Sequence, residues 1–208
     1  MNFLPELLAV ALIHLLAVMS PGPDFILISR NSLVYSRRTG ILSAIGLGLG
    51  ILVHVSYSLI GVGFLIAQSV LLYSVIKFLG AAYLIWIGYH SLRAKPQAAT
   101  GNTGEHRPDM TPFAAVRVGF LTNLLNPKAT LFFFALFTQV IHPTTPKYIQ
   151  AIYGIEMSIA TFAWFATVAI VLSHAKIRSR FAAIQHWAER TFGVILIALG
   201  LRIAFSEK

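Results

Sequence analysis

Met19-Ser20-Pro21-Gly22-Pro23-Asp24-Phe25 interrupts an apolar run that starts near Phe3 and continues to Ile28. A spanning helix needs about 20 mostly apolar residues, and this run reaches that length only if it includes the interruption. Proline inside a helix removes a backbone hydrogen bond and clashes with the preceding turn. In hydrocarbon the freed carbonyls must find partners within the protein. Two prolines around Gly22 therefore predict an unwound segment at membrane depth, with Asp24 in it. A second break of this kind occurs at Asn126-Pro127-Lys128, within an apolar run from Phe113 to Ile141.

Four further apolar runs complete the pattern, at Ile41–Ile66, Val70–Leu92, Ile149–Leu172 and Phe192–Phe205. The expected fold is thus an all-α integral membrane protein of about six transmembrane helices, the first and fourth broken by proline. Composition agrees. Of 208 residues, 57% are hydrophobic and 11% charged, with a mean hydropathy of +0.75. A soluble domain carries about 25% charge, so this surface calls for lipid. The apolar N-terminus lacks a preceding Lys or Arg and a clear cleavage site, and reads as a retained helix.

The net charge of +9 is spread over loops and forms no patch on a soluble fold, which argues against a nucleic-acid partner. Arg30, Arg37 and Arg38 follow the first run. Arg93, Lys95 and Arg107 follow the third, and Lys176, Arg178 and Arg180 the fifth. Loops rich in Lys and Arg stay cytoplasmic, so both termini are expected outside. The polar stretch 94–112 is the one linker and is expected in the cytoplasm. It separates residues 1–93 from 113–208, each with three spans. An odd number per half means the halves insert in opposite orientations. Pro-interrupted segments at matching places in two inverted halves point to a transporter binding site.

The residues at the breaks carry the chemistry. Pro21, Gly22, Pro23 and Pro127 free backbone groups that bind ions or zwitterions, or else merely kink the helices. Asp24 is an acid inside an apolar span, where an unpaired charge costs at least about 2.5–3.5 kcal/mol. It can meet a substrate ammonium or a proton, or cap the second part of its helix. Lys128 can bind a carboxylate, pair with Asp24, or snorkel. Asn123 and Asn126 add amides one turn apart. Glu156, in the fifth run, is a second candidate for carrying a proton, for pairing with Lys128, or for a structural hydrogen bond. His54 shares a face with Gly46 and Gly50, the spacing of a close helix contact. His14 and His54 read as interior histidines satisfied by neighbours, with a proton relay as the alternative. Tyr83 and Trp86 read as packing or interfacial anchors.

There is no cysteine, no phosphate-binding loop, no metal-site spacing and no nucleophile elbow. No cofactor, no metal and no enzymatic reaction are expected.

Met19 to Phe25 resembles the first-helix signature of the lysine exporter and threonine/homoserine exporter (LysE) family. Leu121-Thr-Asn-Leu-Leu-Asn-Pro-Lys-Ala129 resembles its fourth-helix signature. Tyr83-Leu-Ile-Trp-Ile-Gly88 with Leu92-Arg93, and Ala163-Trp-Phe165, fit as well. The resemblance spans nearly the whole chain, and among the family's members it looks closest to threonine exporters. It implies six helices and secondary active efflux of amino acids across the cell (inner) membrane, driven by the proton gradient. The direction of transport rests on the resemblance alone. The partners implied are a small amino-acid substrate and the bilayer, with a homo-oligomer left open. The alternatives are a membrane-embedded enzyme or assembly factor, or a divalent-metal exporter of the same superfamily. The metal reading fits poorly with a chain that lacks cysteine and an acidic cluster in its first half.

Overall fold

The computed structural model describes residues 3–20, 22–68, 70–93, 108–142 and 144–172. Toward the C-terminus it describes 187, 190, 191, 193–198, 200–202, 204 and 205. Seven helices run α1 (Leu4–Met19), α2 (Pro23–Val34), α3 (Arg37–Gln68), α4 (Val70–Leu92), α5 (Pro112–Leu124), α6 (Pro127–Gln139) and α7 (Lys147–Leu172). A shorter apolar helical stretch follows at Gly193–Arg202. No strand occurs among the described residues.

Both expected breaks are present, and each divides its run into two helices. The α1–α2 pair bends by 56° and the α5–α6 pair by 58°. The residue before a proline is driven out of the helical region by the pyrrolidine ring. Ser20 (ψ 124°), Gly22 (φ −173°) and Asn126 (ψ 108°) are accordingly extended. Each precedes a proline, and Pro23 and Pro127 then begin α2 and α6, where a missing N–H costs nothing. Pro21 itself lies outside the described residues. α3 and α7 are each long and apolar enough to cross a bilayer. If each bent pair counts as one span, four such crossings occur among the described residues. α4 covers the third expected run. The sixth is described only in part, and 94–107 of the linker lies outside the described residues.

Two apolar clusters flank the level of the breaks. One joins Val10 of α1, Ile51 and Val55 of α3, Phe133 and Leu136 of α6, and Tyr153 and Met157 of α7. The other joins Phe25 and Ile28 of α2, Leu47 of α3, and Phe165 and Ala169 of α7. α3 thus runs through both, with α7 beside it. α5 lies against α3 almost backbone to backbone. A Cβ on Gly46 would stand 2.0 Å from the Val116 carbonyl, and one on Gly119 would stand 2.0 Å from that of Ser43. Farther along the same α3 face, a Cβ on Gly50 would meet the Asn123 side chain at 2.5 Å. The Gly46–Gly50–His54 face read from the sequence is this contact. A similar seam joins α4 to the C-terminal stretch, where a Cβ on Gly88 would stand 2.7 Å from the Gly193 carbonyl.

The outer surface is apolar along whole helix faces. Leu4, Leu8, Leu12 and Leu15 line one side of α1, and Ile152, Ile155 and Ile159 one side of α7, all exposed. Continuous apolar faces of this extent suit lipid. Polar contacts also join helix ends and loops. Thr39 Oγ1 donates to Asp109 Oδ1 over 3.2 Å, joining the start of α3 to the end of the linker. Thr145 Oγ1 donates to Glu6 Oε1 (2.9 Å), Lys147 Nζ to the Leu59 carbonyl (3.0 Å) and Tyr153 Oη to the Phe3 carbonyl (3.3 Å).

Candidate functional site

The breaks come together. Asp24 is the second residue of α2, and its half-buried carboxylate accepts from two amides of the other break. Asn123 Nδ2 donates to Oδ2 over 2.8 Å, and Asn126 Nδ2 to Oδ1 over 3.2 Å. Lys128 holds the equivalent place, second in α6. Its ammonium donates to the Ser20 hydroxyl (2.8 Å) and to the Ser20 carbonyl (3.1 Å), a carbonyl that the α1–α2 break has freed. It also lies close to Gly22, where a Cβ would stand 3.5 Å from Cδ and Nζ. The charges of Asp24 and Lys128 act on each other. Each break therefore supplies one charge and satisfies groups of the other.

The helix ends differ. Asn126 caps α6, its side-chain oxygen accepting from the Lys128 N–H over 3.0 Å. Gly22 provides α2 with no side-chain cap. The α2 N-terminus thus presents the positive end of its dipole beside Lys128 without a side-chain cap. Asp24 sits past the cap position and does not serve as the cap.

His54 ties the second break to α3. Its Nε2 lies 3.0 Å from the Asn123 carbonyl. A carbonyl only accepts, so Nε2 carries a proton and, in the neutral ring, Nδ1 accepts from the Tyr57 hydroxyl that touches it. Tyr57 also meets Thr130, whose hydroxyl donates to the Asn126 carbonyl over 3.2 Å. The ring stacks on Phe133, 5.4 Å between centroids.

These groups surround a cavity with about 50 Å³ open to water centres. That is room for about three to five waters, the scale of a small zwitterion. Gly22, Asp24, Asn123, Asn126 and Lys128 line it together. Pro23 and Pro127 start the helices that aim these side chains. Glu156 does not line the cavity. Its Oε2 is buried without a hydrogen-bond partner among the described residues, and the expected pairing with Lys128 is absent. The reason is position: Glu156 lies on α7 five and nine residues from Thr161 and Phe165, the α7 residues that line the cavity, and so faces another side. Sequence reasoning passed over Ser20, Thr161 and three phenylalanines, Phe132, Phe133 and Phe165, all in the lining, and read His14, also in the lining, as satisfied by its neighbours, whereas its Nδ1 has no hydrogen-bond partner among the described residues. Phe165 had a signal, as the end of the Ala163-Trp164-Phe165 match. Thr161 sits in ordinary helical sequence and had none.

A model of the LysE type translocator family matches residues 15–207. The chain belongs to this family. Among curated relatives of this translocator, the "Threonine efflux protein" of Escherichia coli (strain K12) is 30% identical over 206 residues, covering 96% of this chain and 98% of the relative. That of Salmonella typhi is 29% identical over 202 residues, covering 95% and 97%. The "Uncharacterized membrane protein YrhP" of Bacillus subtilis (strain 168) is 30% identical over 210 residues, covering 97% and 99%. No solved structure matches this translocator.

Proposed function

We propose that this translocator is a secondary active exporter of hydrophilic amino acids, threonine and homoserine among them, and that it runs on the proton gradient. The observation that carries the reading is the meeting of Asp24 and Lys128 at one cavity between two broken helices. An amino-acid zwitterion bears one charge of each sign. Its ammonium binds Asp24, whose carboxylate the Asn123 and Asn126 amides already orient. Its carboxylate binds Lys128 at the positive end of the α2 dipole, displacing the bonds from Lys128 to Ser20. Both charges leave water for partners that hold opposite charge, which lowers the cost of midplane binding. Threonine efflux by the curated relatives supports the substrate class.

Coupling follows from the same carboxylate. Asp24 holds either the substrate ammonium or a proton, so release of one makes way for the other, and export of a neutral zwitterion is exchanged for an inward proton. Glu156, off the cavity, is the secondary candidate. The transport unit is two inverted halves, 1–93 and 113–208, related by a shift of 104 positions that carries Asp24 onto Lys128. The same shift carries Gln68 at the end of α3 onto Leu172 at the end of α7.

Uptake of labelled amino acids into inside-out vesicles tests the reading. Transport should fall when the gradient is collapsed with ATP kept high; undiminished transport sinks the coupling. Sidedness is proposed from the loop charges, with an inner-membrane location and both termini outside. The chain lacks cysteine, so single cysteines at Ser69, Thr103 and Ser206 can be labelled without removing others. Ser69 and Ser206 should react from outside in intact cells, and Thr103 should not. The reverse pattern inverts the topology.

A further inference from the structure

The charged and amide groups at the breaks account for one part of the cavity wall. Most of the remainder is apolar, including Ile51, Leu84, Phe132, Phe133 and Phe165, with one polar pair set into it: His14 from α1 and Thr161 from α7. Each is only 1% exposed. Thr161 Oγ1 lies 3.3 Å from His14 Nε2. The other ring nitrogen, Nδ1, is buried and has no hydrogen-bond partner among the described residues. The imidazole stands against Phe132 and Phe133, with centroids 6.2 and 5.9 Å away. A buried polar atom left unpaired is costly, and a Leu or Phe at position 14 would fill the same space without that cost.

We propose that His14 is a specificity-determining residue: paired with Thr161, it selects substrates whose side chain is small, neutral and bears a hydroxyl. The inference rests on the export reading above. With ammonium and carboxylate held at the breaks, the substrate's side chain is left to the apolar wall and its one polar pair. A neutral imidazole has a single proton. If Thr161 donates to Nε2, the open Nδ1 is a donor; if Nε2 donates to Thr161, the open Nδ1 is an acceptor. A hydroxyl satisfies Nδ1 in either tautomer, whereas a carboxylate or an ammonium fits only one. Three phenylalanines also disfavour a charged side chain, which would be stripped of water there. An isosteric methyl fits the space but leaves Nδ1 unpaired, and a site built around a hydrogen bond rejects the analogue that lacks it.

The test compares isosteric pairs in inside-out vesicles: threonine against valine, and homoserine against norvaline. The wild-type protein should prefer the hydroxyl member of at least one pair by roughly tenfold or more. His14→Leu should bring that ratio to within about twofold of one. The amide of His14→Asn takes the place of Nδ1 and should retain much of the preference. The amide of His14→Gln takes the place of Nε2 and should lose it. Membrane abundance is measured for each variant, and where His14→Leu does not insert, the wild-type ratio and the Asn/Gln contrast decide. A wild-type ratio near one overturns the proposal, as does a preference that survives both Leu and Gln at normal abundance. Failure of the wild-type protein to move any amino acid removes the export reading and this assignment with it. Transport with an indifferent ratio removes the assignment alone.

Discussion

The two helix breaks have nearly the same bend, 56° and 58°, yet they are held in different ways. The second is supported from its own surroundings. Asn126 caps α6, the Asn126 N–H donates to the Asn123 carbonyl (3.0 Å), and His54 and Thr130 take the Asn123 and Asn126 carbonyls. The first has no side-chain cap, and its freed Ser20 carbonyl is met by Lys128, 108 positions away. One break is a fixed wall and the other leans on it. On the proposed binding mode, a ligand that competes for Lys128 competes for what holds the first break in shape. Binding is thereby linked to the geometry of α1 and α2, while the second break keeps its form.

The strongest way to break this contrast is to remove each charge in turn. Asp24→Asn and Lys128→Met should each reduce export by about a hundredfold or more, because each leaves the other charge buried without its partner. Membrane abundance and export measured in the same cells separate this from misfolding. If both variants are present at wild-type level and export normally, the site lies elsewhere. Lys128→Arg keeps the charge with a different donor shape and should fall between.

A smaller effect is expected from loosening the fixed wall. His54→Phe preserves the stack on Phe133 but deprives the Asn123 carbonyl and the Tyr57 hydroxyl of a partner. It should cost about 1–3 kcal/mol of stability, seen as a lower unfolding midpoint in detergent. An unchanged midpoint would mean that the second break does not depend on α3.

The smallest effect sharpens the comparison by exchanging the caps. Gly22 is in extended backbone that any residue adopts, and a Cβ there makes ordinary contacts. Gly22→Asn should cap α2, raise stability by a few tenths of a kcal/mol, and raise KM several-fold by placing a side chain at the α2 terminus proposed for the carboxylate. Asn126→Gly costs only a few tenths as a cap but also removes an amide from Asp24, so it should impair export more than stability. An unaltered KM in Gly22→Asn would count against the α2 terminus as a carboxylate site.

The breaks were legible in the sequence because proline acts locally: it fixes the residue before it, whatever the rest of the chain does. The seam at Gly46 and Gly50 was legible because spacing on one helix reports a face. The 56° and 58° bends were not, since a broken helix can turn in many directions and only packing selects one. α3 begins at Arg37, ahead of the expected Ile41, because helix geometry continues into charged residues that hydropathy discounts. His14 and Thr161 meet across 147 positions, and nothing local to either announces the other. Glu156 illustrates the reverse. Its charge marked it as a proton carrier, a partner for Lys128 or a structural hydrogen-bonding group, and the rotation of α7 turns it from the cavity.

The Asn123 and Asn126 amides that hold Asp24 lie 99 and 102 positions after it. At about 5–20 residues per second, a ribosome needs roughly 5–20 seconds to supply them. For that interval the newborn first half carries its carboxylate without those partners, and the glycine face of α3 without the helix that closes on it. Assembly therefore has an order imposed by synthesis. The early half must be sheltered, by water at the insertion site or by a proton on the acid, until the late half arrives to complete it.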